Sequence, residues 1–299
     1  MPPSPQTLPA LLSKIRTALP ASIPKSAAYI LPASTLTALG HPSLLGPLFL
    51  HVTGHSSTTA TSHHDQPGIP PPPPPPSPPR PASPEETRAV SLYLRDTLLK
   101  EWTLIGIPLV ITAVASLGAA EREAGLFPPL PSSPQTPTPS ASSYALGPQS
   151  ELSPRYASPD LNVSPNTDVH ARGVSHIVTL YRQHLPAIMA TWGSHEADFR
   201  WLEESVIYGA FLSDREVLSE LETSLITVSG IMAQGLKGPS LWHLRGLRRL
   251  GVSKGDVEAV VRVIGECVKW AGGRVTGATG AEGEADDWVS WVGEVESEV

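Results

Sequence analysis

Residues 253–269 read SKGDVEAVVRVIGECVK, and this stretch decides the fold class. Val257, Val260, Val261, Ile264 and Val268 recur at i, i+3, i+4, i+7 and i+11, the spacing of one helix face turned to a core. Ser253, with Asp256 three residues on, supplies the N-cap. Working upstream, Gly238-Pro239 opens a short helix through Leu241, Leu244 and Leu247 that Gly251 stops. Ser213-Asp214-Arg215-Glu216 has the pattern of a capping box. It predicts a helix through Leu218, Leu221, Leu225 and Met232, ended by Gly235 and Gly238. Asn166 or Thr167 starts another through Val174, Ile177, Val178 and Tyr181. No strand-like alternation and no fixed-period repeat interrupts this pattern, so the expected class is all-α.

One carboxylate is out of pattern. Glu222 shares a helix face with Leu218, Leu225 and Ile226. A buried carboxylate costs several kcal/mol, roughly, unless something pairs with it. His243 on the following helix is the expected partner, since a short turn makes the two helices antiparallel neighbours. A Glu–His pair in a half-dry crevice is a proton-relay arrangement; it is equally the arrangement of a structural pair closing a helical hairpin.

The order His243-Leu244-Arg245-Gly246, Leu250-Gly251-Val252-Ser253, Asp256-Val257-Glu258 resembles the signature of the alkylhydroperoxidase D-like (carboxymuconolactone decarboxylase-like) superfamily. That signature is a His on a short helix, a Gly eight residues later and an acidic helix start. Glu222-Thr223-Ser224 is similar to the helix carrying the family's proton-relay Glu. Tyr208-Gly209, Leu212-Ser213-Asp214, Arg95-Asp96-Thr97-Leu98-Leu99-Lys100 and Gly106-Ile107-Pro108 look like its fungal branch. The resemblance implies a helical bundle that forms homo-oligomers, with Glu222 and His243 as candidate catalytic residues and Tyr208 as a third polar group.

The chain departs from the family where redox chemistry would sit. The Cys-X-X-Cys positions ahead of the His are Leu236 and Pro239, and the single cysteine, Cys267, lies on another helix. Neither replacement forms a thiolate, so dithiol peroxide reduction does not carry over. The Glu-to-His interval, 21 residues, is longer than in the family. Two functions stay open. One is a non-catalytic oligomeric protein of this family. The other is a cofactor-free acid–base enzyme of the decarboxylase or lactone-acid type, acting on an unnamed small molecule. No cofactor and no metal is expected: there is no P-loop, no G-x-G-x-x-G, and His51, His55, His63 and His64 sit in or beside a Ser/Thr/Pro-rich stretch.

Further upstream, Ser83-Pro84-Glu85-Glu86 is a capping box with Pro at the first helical position. It opens a helix through Leu98 and Leu99 towards Ile105, and a second follows Pro108 through Val110 to Leu117. The charge-free run Trp102–Ala120 has 19 residues, just long enough for a bilayer, but Gly106 and Pro108 interrupt it and a buried helix is expected. Residues 1–55 form an N-terminal helical segment, broken at Pro20, Pro24, Pro32 and Gly40-His41-Pro42. Leu8, Leu11, Leu12, Ile15 and Leu19 make an apolar stripe beside Lys14 and Arg16. They fit an ordinary first helix, or a mitochondrial presequence.

Proline divides the chain, with 34 in 299 residues. Residues 56–84, with an unbroken Pro70–Pro76, read as a polyproline linker or a ligand for an SH3-type domain. Residues 128–165 read as a disordered linker. Between and after them lie a helical hairpin, 85–127, and the alkylhydroperoxidase D-like core, 166–273. Residues 274–299 carry seven acids and, past Arg274, no Lys or Arg, which reads as a solvated acidic tail. That tail accounts for the net charge of -7, and the near-neutral remainder gives nucleic-acid binding no electrostatic support. The expected location is cytoplasmic or mitochondrial; Ser297-Glu298-Val299 is not a peroxisomal tripeptide of the Ser-Lys-Leu kind.

Overall fold

In a computed structural model the protein is described for residues 4–55, 81–127, 167–273 and 286–296, and for residues 165 and 299. Among the described residues every regular element is helical, so the class is all-α. The Pro70–Pro76 run, His63, His64 and nearly all of 128–165 lie outside them.

Helices α1 (Leu8–Ala18), α2 (Ala27–Ala38) and α3 (Leu45–Val52) come first. The α1 stripe Leu8, Leu11, Leu12 and Ile15 is buried. Helix α2 is buried on nearly every side, and Pro32 lies inside it rather than breaking it. A proline there leaves the Ala28 carbonyl without its intrahelical donor, at a cost of about 3 kcal/mol in an exposed helix; the burial of most of the helix outweighs that loss. Helix α4 (Pro84–Ile105) starts at the expected capping box. The Glu86 carboxylate accepts from the Ser83 N–H at 2.7 Å, and the Ser83 hydroxyl accepts from the Glu86 N–H at 3.2 Å. Gly106, at φ 90°, makes the break that only glycine adopts without strain. Helix α5 (Ile107–Glu123) follows. It buries Val110, Ala113, Leu117 and Ala120 but turns Ile107, Ile111 and Val114 outward, so the charge-free run is core on one face only. No described helix is long and apolar enough to cross a membrane.

The C-terminal elements are α6 (Asp168–Tyr181), α7 (Leu185–Ala190), α8 (Glu196–Trp201), a π-helix (Leu202–Leu212), α9 (Glu220–Ala233), α10 (Lys237–Arg249), α11 (Lys254–Trp270) and α12 (Asp286–Val295). Thr167 caps α6 and Ser253 caps α11, each accepting from the backbone N–H three residues on. Helices α2 and α9 lie at the centre, and the Ser229 hydroxyl donates to the Ser34 hydroxyl at 2.8 Å across their contact. One main core draws on α1–α5 and α9–α12, while α6, α7 and the π-helix share a smaller one. Helix α6 meets the π-helix where Gly173 faces Gly209. A methyl on Gly173 would stand 2.0 Å from the Glu204 carbonyl oxygen, so the close approach requires glycine.

Two expectations are corrected. The central helix does not begin at Ser213. Asp214 accepts from the Glu216 N–H instead, Lys100 donates to the carbonyls of Phe211 and Asp214, and Asp96 accepts from the Leu218 N–H. These contacts hold residues 213–218 irregular, and α9 starts only at Glu220, capped by Ser219. The acidic tail is not wholly solvated either. Trp288, Trp291, Val292 and Val295 repeat at i, i+3, i+4 and i+7 and are 2% exposed or less. Glu294 and Glu296 turn outward, to Lys237 at 2.8 Å and to Arg248 at 2.7 Å.

Candidate functional site

The later start of α9 changes what Glu222 does. It occupies the third helical position and completes a capping box, accepting from the Ser219 N–H at 2.9 Å and the Ser219 hydroxyl at 2.7 Å. Its other oxygen accepts from the Ser26 hydroxyl at the start of α2. Three hydrogen bonds satisfy the buried carboxylate without an imidazole.

His243 points elsewhere. Helix α10 does pack beside α9, but its imidazole Nε2 lies 3.3 Å from the Tyr181 hydroxyl on α6. The Tyr181 hydroxyl lies in turn 3.0 Å from that of Tyr208 in the π-helix. The expected Glu222–His243 pair is therefore corrected: no hydrogen bond or ion pair joins the two. The physical reason is that Glu222 is drawn to the N-terminal end of its own helix. His243 and Tyr208 are brought together, through Tyr181.

This run continues through rings. Tyr208 packs against His176 at 5.7 Å between centroids, and His176 Nδ1 stands 3.5 Å from the Glu220 carboxylate. Glu220 pairs with Arg215 at 2.6 Å. Burial pushes the His243 imidazole down to about 4, helped by His176, and pushes His176 down to about 4, helped by Arg215 and Lys100. Burial also lifts the Tyr181 phenol to about 12 and the Tyr208 phenol well above its ordinary value. All four groups are thus neutral near pH 7. A neutral imidazole bonded to a phenol can accept a proton, but His243 and Tyr208 are only 5% and 4% exposed.

Further ionisable groups lie in the interior, Lys100 and Glu101 among them. Lys100, fully buried, stands 3.7 Å from Asp96 and ties α4 to the 213–218 connection. Glu101 meets Ser34 beside Gly230; burial pushes its carboxyl up to about 8, and the Ser34 hydroxyl offsets part of that. Cys267 is buried, and burial raises its thiol well above the usual range, so it is not a ready nucleophile. Among the described residues no group of three or more His, Cys, Asp and Glu side chains is arranged to hold a metal ion.

Reading the sequence missed Tyr181, His176 and Glu220. The missed signal for the first two is that His176 and Tyr181 fall on the stripe of Ile177 and Leu180, where a polar group needs a partner. A cleft of about 370 Å³ opens between α6, α7 and α8, and neither Glu222, His243 nor Tyr208 lines it.

No family model matches the chain, and no solved structure does. Among curated proteins it is similar to Peroxisomal protein 2 of Saccharomyces cerevisiae, 26% identical over 178 residues. The match takes in 60% of this chain and 61% of that protein, so the chain spans about three-fifths of the length of the relative it matches.

Proposed function

We propose that this chain is a non-catalytic, oligomeric member of the alkylhydroperoxidase D-like superfamily, a helical scaffold that works by binding rather than by turnover. One observation carries the reading: Glu222 and His243 are tied into separate buried hydrogen-bond sets, and neither lines the described cleft. The thiol branch of the chemistry has no residues to run on, because Leu236 and Pro239 stand in its cysteine positions and Cys267 is sealed in the core. The all-α bundle agrees with the family. The test is turnover. Incubation with dihydrolipoamide and an organic hydroperoxide, and separately with carboxymuconolactone, should give no consumption above a buffer control. Consumption that disappears in a folded His243→Ala variant would overturn the proposal.

A second reading draws on the Tyr208–Tyr181–His243 hydrogen bonds. It is an acid–base enzyme in which His243 and Tyr208 keep the roles suggested by the resemblance while Glu222 gives way to Tyr181 and the His176–Glu220 pair. For location, the relative's name adds the peroxisome to the cytoplasm and the mitochondrion as compartments to be told apart by imaging the tagged chain.

A further inference from the structure

The cleft between α6, α7 and α8 has an apolar wall and a charged one. Val178, Leu185 and Met189 supply the first, and Glu196, Arg200 and Glu204 the second. Arg200 lies 3.1 Å from Glu204 and 3.7 Å from Glu196. Two carboxylates against one guanidinium leave one negative charge in excess among the residues that line the cleft. The Glu204 side chain is only 8% exposed, so water screens it little, whereas Val178 is 47% exposed and offers apolar surface. The volume, about 370 Å³, falls in the range of small-molecule sites.

The geometry points to a binding site for a small amphipathic cation. Its aliphatic chain lies along Val178, Leu185 and Met189, and its ammonium group sits against Glu196 and Glu204. Burial of the chain supplies the affinity. The excess charge supplies the selection, because a carboxylate head of the same length meets repulsion where the ammonium meets attraction. The inference stands apart from Glu222 and His243, whose substitution leaves the cleft lining unchanged.

The test is a titration of the full chain with decylammonium below its micelle-forming concentration, followed by methyl NMR, with decanoate as the comparison. The expected result is saturable shifts confined to Val174, Val178, Leu185 and Met189, with decylammonium bound about tenfold or more tightly than decanoate. Glu196 is half exposed, so Glu196→Lys keeps the fold, as circular dichroism will check, and turns the excess charge positive. That variant should prefer decanoate. Absence of saturable shifts, shifts spread over the whole chain, or equal binding of the two probes by the unmodified protein would overturn the assignment.

Discussion

The Glu222 carboxylate closes on Ser219, accepting from its N–H at 2.9 Å and from its hydroxyl at 2.7 Å, while the Ser219 hydroxyl accepts from the Glu222 N–H at 3.3 Å. This reciprocal contact fixes where the central helix begins. Ser219→Ala should therefore destabilise the protein by about 1 kcal/mol, in line with the loss of other N-caps. Glu222→Ala should cost more, about 2 kcal/mol, because it also strips the Ser26 hydroxyl of its acceptor. Urea denaturation followed by circular dichroism measures both.

Tyr181 is the hydrogen-bond partner of two buried groups, the Tyr208 hydroxyl and His243 Nε2. Tyr181→Phe should cost about 1–3 kcal/mol, since it leaves both buried and unsatisfied. Tyr208→Phe in the Tyr181→Phe background should cost less than Tyr208→Phe alone. A double-mutant cycle in urea reads that coupling; additive losses would show that the two hydroxyls do not interact.

Stability should fall on both sides of a mildly acidic optimum. His176 and His243 are pushed down to about 4 in the folded protein and titrate near 6.5 when unfolded. Between those values the unfolded chain holds more protons, so stability is lost as the pH drops from about 6.5 to about 4. Glu101 and Glu203 work in the opposite sense. Burial pushes them up to about 8 and about 7 from an ordinary 4.5. The folded state then keeps protons that the unfolded chain has released, and stability is lost as the pH rises from about 4.5 to about 8. Urea midpoints across this range should show the maximum, and Glu101→Gln should flatten its alkaline side.

Gly173→Ala places a methyl 2.0 Å from the Glu204 carbonyl oxygen and 2.6 Å from the Gly209 nitrogen. Backbone atoms cannot yield as a side-chain tip can, so a loss of several kcal/mol, roughly, is expected as α6 is pushed from the π-helix. Gly238→Ala is the control. Nothing lies within 4 Å of its added methyl, and alanine favours the helix by about 0.5–1 kcal/mol. The difference between the two melting temperatures checks the close crossing.

Trp288 is 1% exposed and packs against Trp291 with ring centroids 5.7 Å apart. Trp288→Ala should cost about 3–5 kcal/mol, as for other large aromatic residues removed from a core. A freely solvated tail would show no loss, and thermal unfolding distinguishes the two.

Much of the bundle was legible because its signals are local. The Ser83/Glu86 box, the Ser253 cap and the Val257–Val268 stripe each need only neighbours in sequence, and each stands where it was expected. The misses share a different cause. Ser213-Asp214-Arg215-Glu216 has the same local pattern as a true box, but Lys100 and Asp96, more than a hundred residues away, hold that segment out of a helix. Pro32 reads as a breaker until the burial around α2 is known. In the last segment the run of acids masks the helical spacing of Trp288, Trp291, Val292 and Val295. The candidate site shows the same split. His243 and Tyr208 are each buried on their own element, but they are joined only through Tyr181, and that connection depends on how α6 crosses α10 and the π-helix.

The central claim is that Glu222 and His243 belong to separate hydrogen-bond sets. A double-mutant cycle on Glu222→Gln and His243→Ala, read as unfolding free energy in urea at pH 7, tests it most directly. With separate sets the two losses should add to within about 0.5 kcal/mol. A coupling of about 1.5 kcal/mol or more, as expected for an interior carboxylate–imidazole pair, would contradict it.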